Sequence, residues 1–261
     1  MLPPELAEYK DVFEFPKGLP NLRGKWDFKL HPIKNYEENL KYQEPITTDD
    51  QARKAIHEML CQYLKDGWIS ASDTTYAVGM FPVPKKDGTY RYIYNYPMIN
   101  NVCKINKFPI PNLRDKVNTV AQHQYIIAFD LRSAYNQIRI TDRRNQDLTT
   151  FSTEFGNFKW HVMPFGLSDA PPFFQSFINT LLMEKLDNGV LAYLDDVLVY
   201  GNTREECLNN AKWVLNKFRE NQLFCKITKC EFFPSTVEYL GYAIKMLAIF
   251  LLMLVNWNHW N

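Results

Sequence analysis

The 261-residue sequence is poor in the patterns that define small metal-bound or disulfide-linked proteins. Its five cysteines are odd in number and include no Cys-x-x-Cys pair and no histidine spacing typical of zinc. This excludes a zinc ribbon or disulfide scaffold and predicts reduced thiols in an intracellular setting. Internal repeats, a Walker loop and a dinucleotide fingerprint are also absent. The amino terminus has no basic region followed by an apolar core, so a secretory signal is not expected there.

Neither sign of charge dominates, and long apolar runs are missing. The 30 basic and 29 acidic residues leave a net charge of +1, so a nucleic-acid partner would have to be bound through local patches. The apolar stretch at 246–255 has ten residues, whereas a membrane-spanning helix needs about 20, so we predict no stable membrane span. Hydrophobic residues make up 46% and aromatic residues 15%, which predicts a folded chain of one large or two ordinary domains.

Two adjacent acids stand inside the most apolar part of the central sequence. Asp195 and Asp196 lie between aromatic, aliphatic and β-branched residues over 192–200, which predicts two strands joined by a tight hairpin with the acids at its tip. Two like charges held together repel each other, and hard carboxylate oxygens favour magnesium or manganese as the ion that compensates them. On these residues alone, a solvated turn and a metal site are equally good interpretations.

The remaining pattern predicts a mixed α+β chain. Six prolines in residues 1–45 indicate an extended lead-in. Capping residues and apolar periodicity predict helices from about Asp50 to Gly67, up to about Ala121, and from near Phe173 and Thr203. We also expect a hairpin over Tyr76–Tyr96 and a turn at Gly156-Asn157. Further short strands are predicted at Tyr125–Asp130, Gln137–Ile140, Leu148–Phe151, Phe158–Met163, Phe224–Ile227, Glu231–Phe233 and Val237–Tyr242. The absence of a regular βαβ rhythm favours a sheet with helices on one side.

Two further features have both a structural and a functional interpretation. Lys85, Lys86 and Arg91 flank the turn of the Tyr76–Tyr96 hairpin and form either a solvated face or a basic flap that closes over phosphates. Asp130 ends a buried strand, where it either caps the next segment or supplies a third carboxylate.

Three motifs, in their order and spacing, closely resemble the reverse transcriptase domain of gypsy-type long-terminal-repeat retrotransposons (Metaviridae) and of retroviruses. They are Phe129–Tyr135, Met163–Leu167 and Tyr193–Asp196. Leu2–Leu6, Lys85–Gly88, Lys229–Phe232 and Tyr239–Tyr242 extend the resemblance from the start to about residue 244. It implies an α+β right-hand polymerase with an antiparallel palm sheet. Residues 1–45 would be the lead-in, 46–122 and 138–167 the fingers, 123–137 and 168–244 the palm, and 245–261 an apolar tail in place of the thumb.

The resemblance also implies roles for individual residues. Asp130, Asp195 and Asp196 would be catalytic and, with the Leu131 carbonyl, would hold two Mg²⁺ ions, Mn²⁺ being the alternative. The implied nucleotide-binding residues are Lys85, Arg91, Arg132, Ser133, Ala134, Tyr135, Phe165 and Gly166, with Tyr135 as the gate that excludes a ribose 2′-hydroxyl. The implied primer grip is Tyr239, Leu240, Gly241 and Tyr242. Either Lys226 or Lys229 would lie near the leaving group.

The sequence departs from the family pattern at three places. Asn95-Tyr96-Pro97 stands where the family has Asp-Tyr-Arg, and Pro172-Phe173 replaces Ala-Thr before Phe174-Gln175. After Ile244 the family continues into a thumb, a connection and RNase H, whereas this chain has the apolar tail. We interpret the tail as a frameshifted or mis-joined end, with an interfacial helix as the alternative.

The expected function is therefore an RNA-directed and DNA-directed DNA polymerase domain of a retrotransposon polyprotein. Its partners would be an RNA or DNA template with a DNA primer, and deoxynucleoside triphosphates; pairing with a second chain is left open. The resemblance places it in a cytoplasmic virus-like particle or the nucleus. One alternative is a decayed or co-opted fragment that at most binds nucleic acid. Another is an RNA-directed RNA polymerase, against which Tyr135 argues.

Overall fold

The computed structural model describes residues 2–14, 18–105, 113–239 and 241–245. Its helices are α1 (Asp50–Lys65), α2 (Pro97–Asn101), α3 (Leu113–Ala121), α4 (Arg143–Leu148), α5 (Ala170–Leu182) and α6 (Arg204–Glu220). Its strands are β1 (Ile69–Ala71), β2 (Val78–Pro84), β3 (Tyr90–Tyr94), β4 (Tyr125–Asp130), β5 (Phe151–Thr153), β6 (Gly156–Trp160), β7 (Val190–Tyr193), β8 (Asp196–Gly201), β9 (Glu231–Phe232), β10 (Thr236–Tyr239) and β11 (Tyr242–Lys245). Within these ranges, no helix is both long and apolar enough to cross a bilayer.

The chain forms two compact units. The first draws its described residues from 1–15, 109–134 and 175–261, and the second from 16–108 and 135–174. The sheet of the first unit has the order β7-β8-β4-β9, and all its neighbouring strands are antiparallel. A separate hairpin pairs β10 with β11. The sheet of the second unit has the order β1-β6-β5-β2-β3, in which β2 and β5 are parallel and the other pairs antiparallel.

Helices cover both faces of the four-stranded sheet. Phe129 on β4 packs against Phe218 on α6, with 6.3 Å between ring centroids. Because side chains alternate along a strand, Ile126 points to the opposite face, where it packs with Val117 and Val120 of α3 and with the β10–β11 hairpin. The expected helix-covered side is therefore present as α6, and α3 adds a second covered face.

An aromatic core organises the second unit. The rings of Tyr63, Tyr94 and Phe151 surround Trp160, with centroids 5.3, 5.4 and 5.7 Å from the Trp160 ring. Burial of several large rings at such distances contributes both apolar area and favourable ring geometry. This core joins α1, β3, β5 and β6, and so supports the β2–β3 hairpin.

The first part of the predicted extended lead-in, residues 4–13, is helical. Pro4–Phe13 forms a 3-10 helix, and its Leu6, Tyr9 and Val12 side chains are buried. Arg219 on α6 donates hydrogen bonds to both carboxylate oxygens of Asp11, at 2.8 and 2.6 Å. Pro3 and Pro4 therefore begin a short helix, where a missing N–H is tolerated, rather than keeping residues 4–13 extended.

Several predicted strands are also wrong. Gln137, the first residue of the strand expected at Gln137–Ile140, is instead the last residue of a 3-10 helix, Ala134–Gln137. The strand expected at Leu148–Phe151 is the end of α4 followed by the start of β5. Asp142 caps α4 by accepting a hydrogen bond from Asn145 N at 2.9 Å. The segment expected as a strand at Phe224–Ile227 runs into a 3-10 helix, Ile227–Lys229. These segments are too short for a periodicity that separates strand from helix.

Two turns differ in position from the prediction. The β5–β6 pairing leaves Glu154 and Phe155 as the turn, two residues before the expected Gly156-Asn157. The expected strand Val237–Tyr242 is instead a hairpin whose Tyr239 and Tyr242 are paired. Gly241, with φ of 81°, lies in its turn, a conformation that glycine adopts without steric cost. Of the tail predicted over 245–261, Lys245 is the last residue of β11. Leu240 and the rest of the tail, 246–261, lie outside the described residues.

Candidate active site

Strand pairing brings two of the predicted acids together. β4 and β8 are antiparallel neighbours, and Asp130 is the direct partner of Asp196 at one end of the sheet. Cβ atoms of directly opposed residues lie about 4.5–5.5 Å apart and on the same face. The two carboxylates are therefore neighbours because of register, although 66 positions separate them along the chain.

The third acid lies in the turn between β7 and β8. Tyr193 pairs with Asp196, which leaves Leu194 and Asp195 as a two-residue turn. Leu194 has φ of 53°, a left-handed conformation that is unusual for a branched residue. A residue in this region persists only when its surroundings fix it. The turn that presents Asp195 is therefore held by contacts from outside the hairpin.

Gln175 on α5 supplies the first of these contacts, and the sequence reasoning did not identify it. Its buried side-chain oxygen accepts a hydrogen bond from Leu194 N at 2.7 Å, and its amide nitrogen donates to Ala192 O at 3.2 Å. Its amide also donates to Asn179 Oδ1 at 2.8 Å. The available signal was an amide among the apolar residues of α5. A buried amide needs partners, and here the hairpin provides them.

The strand end of β4 supplies the second contact. Leu131 N donates to Asp195 O at 2.8 Å, so the residue after Asp130 is tied to the hairpin turn. On the other side, Lys226 N donates to Asp130 O at 2.9 Å. The backbone around all three acids is thus joined in one network. The predicted role of the Leu131 carbonyl as a metal ligand stays a prediction.

Burial and the charge of neighbouring acids raise the pKa of Asp195 and of Asp196. Burial, followed by the charges of Asp195 and Asp130, raises the pKa of Asp196 to about 6. Burial is also the main cause that raises the pKa of Asp195, and the charge of Asp130 adds to it. Lys229 Nζ lies 2.9 Å from Asp130 Oδ2, and this hydrogen bond raises the pKa of Lys229. Of the two lysines considered near the leaving group, Lys229 is the one whose side chain pairs with an acid.

A cleft of 330 Å³ lies beside the acids. Its polar lining includes Asp130, Asp196, Lys229, Glu231, Glu238 and Tyr239. Carboxylate oxygens on directly paired strand positions are a donor set that suits a hard divalent cation. Across the described part of the chain, no three His, Cys, Asp or Glu side chains converge as metal ligands. The cation next to Asp130 is instead the Lys229 ammonium.

In the second unit, the structure brings together three of the predicted nucleotide-binding residues. The Tyr135 ring centroid lies 4.8 Å from that of Phe165, and Phe165 is 48% exposed. Gly166 has φ of 98°, and an added Cβ would lie 3.2 Å from Tyr94 O. Asn100 Nδ2 donates to Gly166 O at 3.0 Å. These contacts hold the loop after Met163 in one conformation beside Tyr135.

The other predicted nucleotide-binding residues fall into two groups. Lys85 and Arg91 are exposed on either side of the β2–β3 turn. Arg132, Ser133 and Ala134 belong to the first unit. Of these, Ala134 is buried, Ser133 is exposed with φ of 47°, and burial lowers the pKa of Arg132. The predicted role of both groups in nucleotide binding stays a prediction.

The departures from the family pattern have local structural explanations. Asn95 Nδ2 donates to Gln43 Oε1 at 3.0 Å, and the same oxygen accepts from Gly79 N at 2.9 Å. A neutral pair therefore occupies the position of the family's acid. Pro97 is the first residue of α2, where the missing donor costs no helical hydrogen bond. Pro171 and Pro172 likewise lie in the first turn of α5.

The predicted primer grip corresponds to the β10–β11 turn. Tyr239 is buried in the core with Val237 and Ile244, and its side chain also lines the cleft beside Asp196. Burial raises the pKa of its hydroxyl. Tyr239 is therefore a core residue as well as a candidate contact for a primer.

Comparison with known proteins agrees with this architecture. The family model described as "Reverse transcriptase (RNA-dependent DNA polymerase)" matches residues 83–244. The chain is 31% identical over 253 residues to the Transposon Tf2-3 and Tf2-7 polyproteins of Schizosaccharomyces pombe, a match that covers 93% of this chain. The chain spans only 18% of the length of these relatives.

Solved structures share the fold at lower identity. The native prototype foamy virus protease-reverse transcriptase has a TM-score of 0.78 and 21% identity, covering 91% of this chain and 31% of that chain. A foamy viral protease-reverse transcriptase in complex with double-stranded DNA has a TM-score of 0.80 and 20% identity, covering 93% of this chain and 42% of that chain. The same viral protein bound to an RNA/DNA hybrid has a TM-score of 0.78, with 20% identity and coverages of 92% and 32%.

Proposed function

Because the chain belongs to the reverse transcriptase (RNA-dependent DNA polymerase) family, we propose that it is the DNA polymerase domain of a retrotransposon polyprotein. It transfers a nucleotide from a deoxynucleoside triphosphate to a primer 3′-hydroxyl, directed by an RNA or DNA template. The observation that carries this proposal is the pairing of Asp130 with Asp196 at the end of β4 and β8, with Asp195 in the adjoining turn.

The three carboxylates suit nucleotidyl transfer because that reaction builds negative charge on phosphate oxygens. Asp130, Asp195 and Asp196 would hold two Mg²⁺ ions, with Mn²⁺ as a substitute. When bound, these ions compensate the developing charge and favour ionisation of the primer hydroxyl. The chain's own contribution is to hold the acids at one strand end. Gln175 and Leu131 N fix the turn that carries Asp195.

The remaining residue roles are part of the same proposal. Tyr135 acts as the gate against a ribose 2′-hydroxyl, supported by its contact with the exposed Phe165 ring. Gly166 lets the loop backbone approach Tyr94 and Tyr96 closely. Lys85 and Arg91 supply exposed positive charge for phosphates. The primer contacts are those of the β10–β11 turn.

We also propose the domain roles and partners. The fingers are 46–122 with 138–167, and the palm is 123–137 with 168–244. The partner is a primer-template duplex, by analogy with the foamy viral protein that is bound to double-stranded DNA or an RNA/DNA hybrid. The setting is a cytoplasmic virus-like particle or the nucleus.

A second candidate is a chain that binds nucleic acid without polymerising. The neutral Asn95–Gln43 pair favours it, because this pair supplies no carboxylate where the family has an acid. Salt-sensitive binding to a primer-template duplex, with no incorporation at high enzyme and nucleotide concentrations, would select this candidate.

The deciding experiment is extension of a DNA primer on an RNA template with magnesium. Wild-type chain should incorporate deoxynucleotides, and the Asp195→Asn/Asp196→Asn double variant should lose incorporation by at least about 100-fold, in line with the loss of a main electrostatic element. Asp73→Asn removes an exposed carboxylate from the segment between β1 and β2 and is the matched control. Equal incorporation by the wild type and the double variant would exclude the proposal. Preference for ribonucleotides would instead indicate an RNA polymerase.

A further inference from the structure

Lys229 places a positive charge against a catalytic acid. Its Nζ lies 2.9 Å from Asp130 Oδ2, and the two side chains are 57% and 15% exposed. The positive charge of Lys229 also acts on Asp195 and Asp196, since it lowers the pKa of both. One ammonium therefore offsets part of the repulsion among three carboxylates.

The backbone that carries Lys229 is attached to the same strand end as Asp130. Lys226 N donates to Asp130 O at 2.9 Å, Lys229 N donates to Lys226 O at 2.8 Å, and Cys225 N donates to Val12 O at 2.8 Å. The 3-10 turn Ile227–Lys229 is thus fixed at its base. Because the Lys229 side chain is mostly exposed, its ammonium can leave Asp130 by side-chain rotation alone.

The Lys229 ammonium and a divalent cation would compete for the same Asp130 carboxylate. Asp130 Oδ2 is engaged by Lys229, and within the described residues no three potential ligands converge on a common point. A cation that binds Asp130 through Oδ2 would replace the ammonium, and the free energy of the ion pair would then be subtracted from the binding free energy of the cation.

We propose that Lys229 is a displaceable internal cation, which holds Asp130 in the metal-free chain and is released when a divalent ion binds. This inference rests on the proposed function, since it takes Asp130 and Asp196 as metal ligands. Lys229 acts as a positioning residue, because it keeps the acids arranged before the ion arrives. It also sets the affinity for the ion.

The test is titration of the whole chain with Mn²⁺, followed by electron paramagnetic resonance of the free ion. Lys229→Gln should bind Mn²⁺ about fivefold more tightly than wild type, the size expected from a partly exposed ion pair. Lys229→Arg keeps a cation beside Asp130 and should stay within about twofold of wild type. Lys226→Gln removes the same charge from a neighbouring exposed lysine and should also stay within about twofold.

Chemical labelling gives a second readout that does not depend on a variant. Acylation of lysines by acetic anhydride, followed by mass spectrometry, should show that Mg²⁺ increases the reactivity of Lys229, because its amine is freed from Asp130. Lys226 serves as the internal reference. Unchanged Lys229 reactivity would overturn the inference.

The two proposals fail in different ways. If the Asp195→Asn/Asp196→Asn double variant binds Mn²⁺ as well as the wild-type chain does, or if neither binds it, the proposed metal-dependent function is overturned. If the double variant loses Mn²⁺ binding but Lys229→Gln binds Mn²⁺ with wild-type affinity, only the displaceable-cation inference is overturned.

Discussion

Replacing Gln175 with methionine tests whether an amide on α5 holds the turn that carries Asp195. The two side chains are similar in length and volume, so the substitution removes hydrogen bonds without opening a large cavity. In the wild-type chain the amide joins Leu194 N, Ala192 O and Asn179 Oδ1. Methionine would leave the Leu194 N–H without this partner, in a turn whose φ of 53° is already unfavourable.

The expected cost follows from these contacts. A partly buried donor left without a partner costs about 1–3 kcal/mol, and the loss of a bond to a buried carbonyl adds about 1 kcal/mol. We therefore expect Gln175→Met to lower the free energy of unfolding by about 2–4 kcal/mol, measured by urea denaturation. Because Asp195 directly follows Leu194, we also expect primer extension to fall by at least about tenfold.

The matched control is Thr180→Ala on the same helix. The Thr180 hydroxyl donates only within α5, to Ser176 O at 2.9 Å, so its loss should change both measurements little. Gln175→Glu keeps an acceptor for Leu194 N but turns a buried carboxylate towards Ala192 O and Asn179 Oδ1, so it should be at least as destabilising as Gln175→Met at neutral pH. Wild-type stability together with wild-type extension in Gln175→Met would refute the idea that Gln175 holds the turn.

Three further predictions concern stability. Gly189→Ala should lower the free energy of unfolding by about 2–4 kcal/mol, because φ is +95° and the new Cβ would overlap the Asn210 amide; equal urea midpoints would contradict this. Arg219→Lys loses the two-oxygen contact with Asp11 and should cost about 0.5–1 kcal/mol, less at 1 M salt; a cost that is the same at both salt concentrations would rule out an ionic origin. Burial, followed by nearby cations, lowers the pKa of His161 from its ordinary 6.5. The folded chain then binds fewer protons than the unfolded chain at acidic pH. The contribution of His161 to the free energy of unfolding is therefore fully present above pH 6.5 and is lost as the pH falls through the lowered pKa. In urea denaturation from pH 7.5 to 5, His161→Gln should show a weaker pH dependence than wild type, and an equal dependence would contradict this.

Local chemistry allowed much of the fold to be predicted. The start of α1 follows from Asp49, whose side chain accepts a hydrogen bond from Ala52 N, and α6 starts at the Thr203 cap. The aromatic, aliphatic and β-branched residues over 192–200 predicted the β7–β8 hairpin with Asp195 and Asp196 at its tip. The resemblance to gypsy-type reverse transcriptases is confirmed by the family match and the transposon relatives, and the right-hand polymerase fold by the structural matches.

The sequence alone determined the features whose signals lie within a few residues of one another. These are the helix caps, the periodic apolar faces, the turn residues and the three acids. Only the tertiary structure decided that Asp130 is opposite Asp196, that Gln175 holds the turn, and that Lys229 rather than Lys226 pairs with an acid. The physical reason is that these contacts join residues far apart in sequence. They depend on strand register and on the side of a turn to which a side chain points, which no local preference specifies.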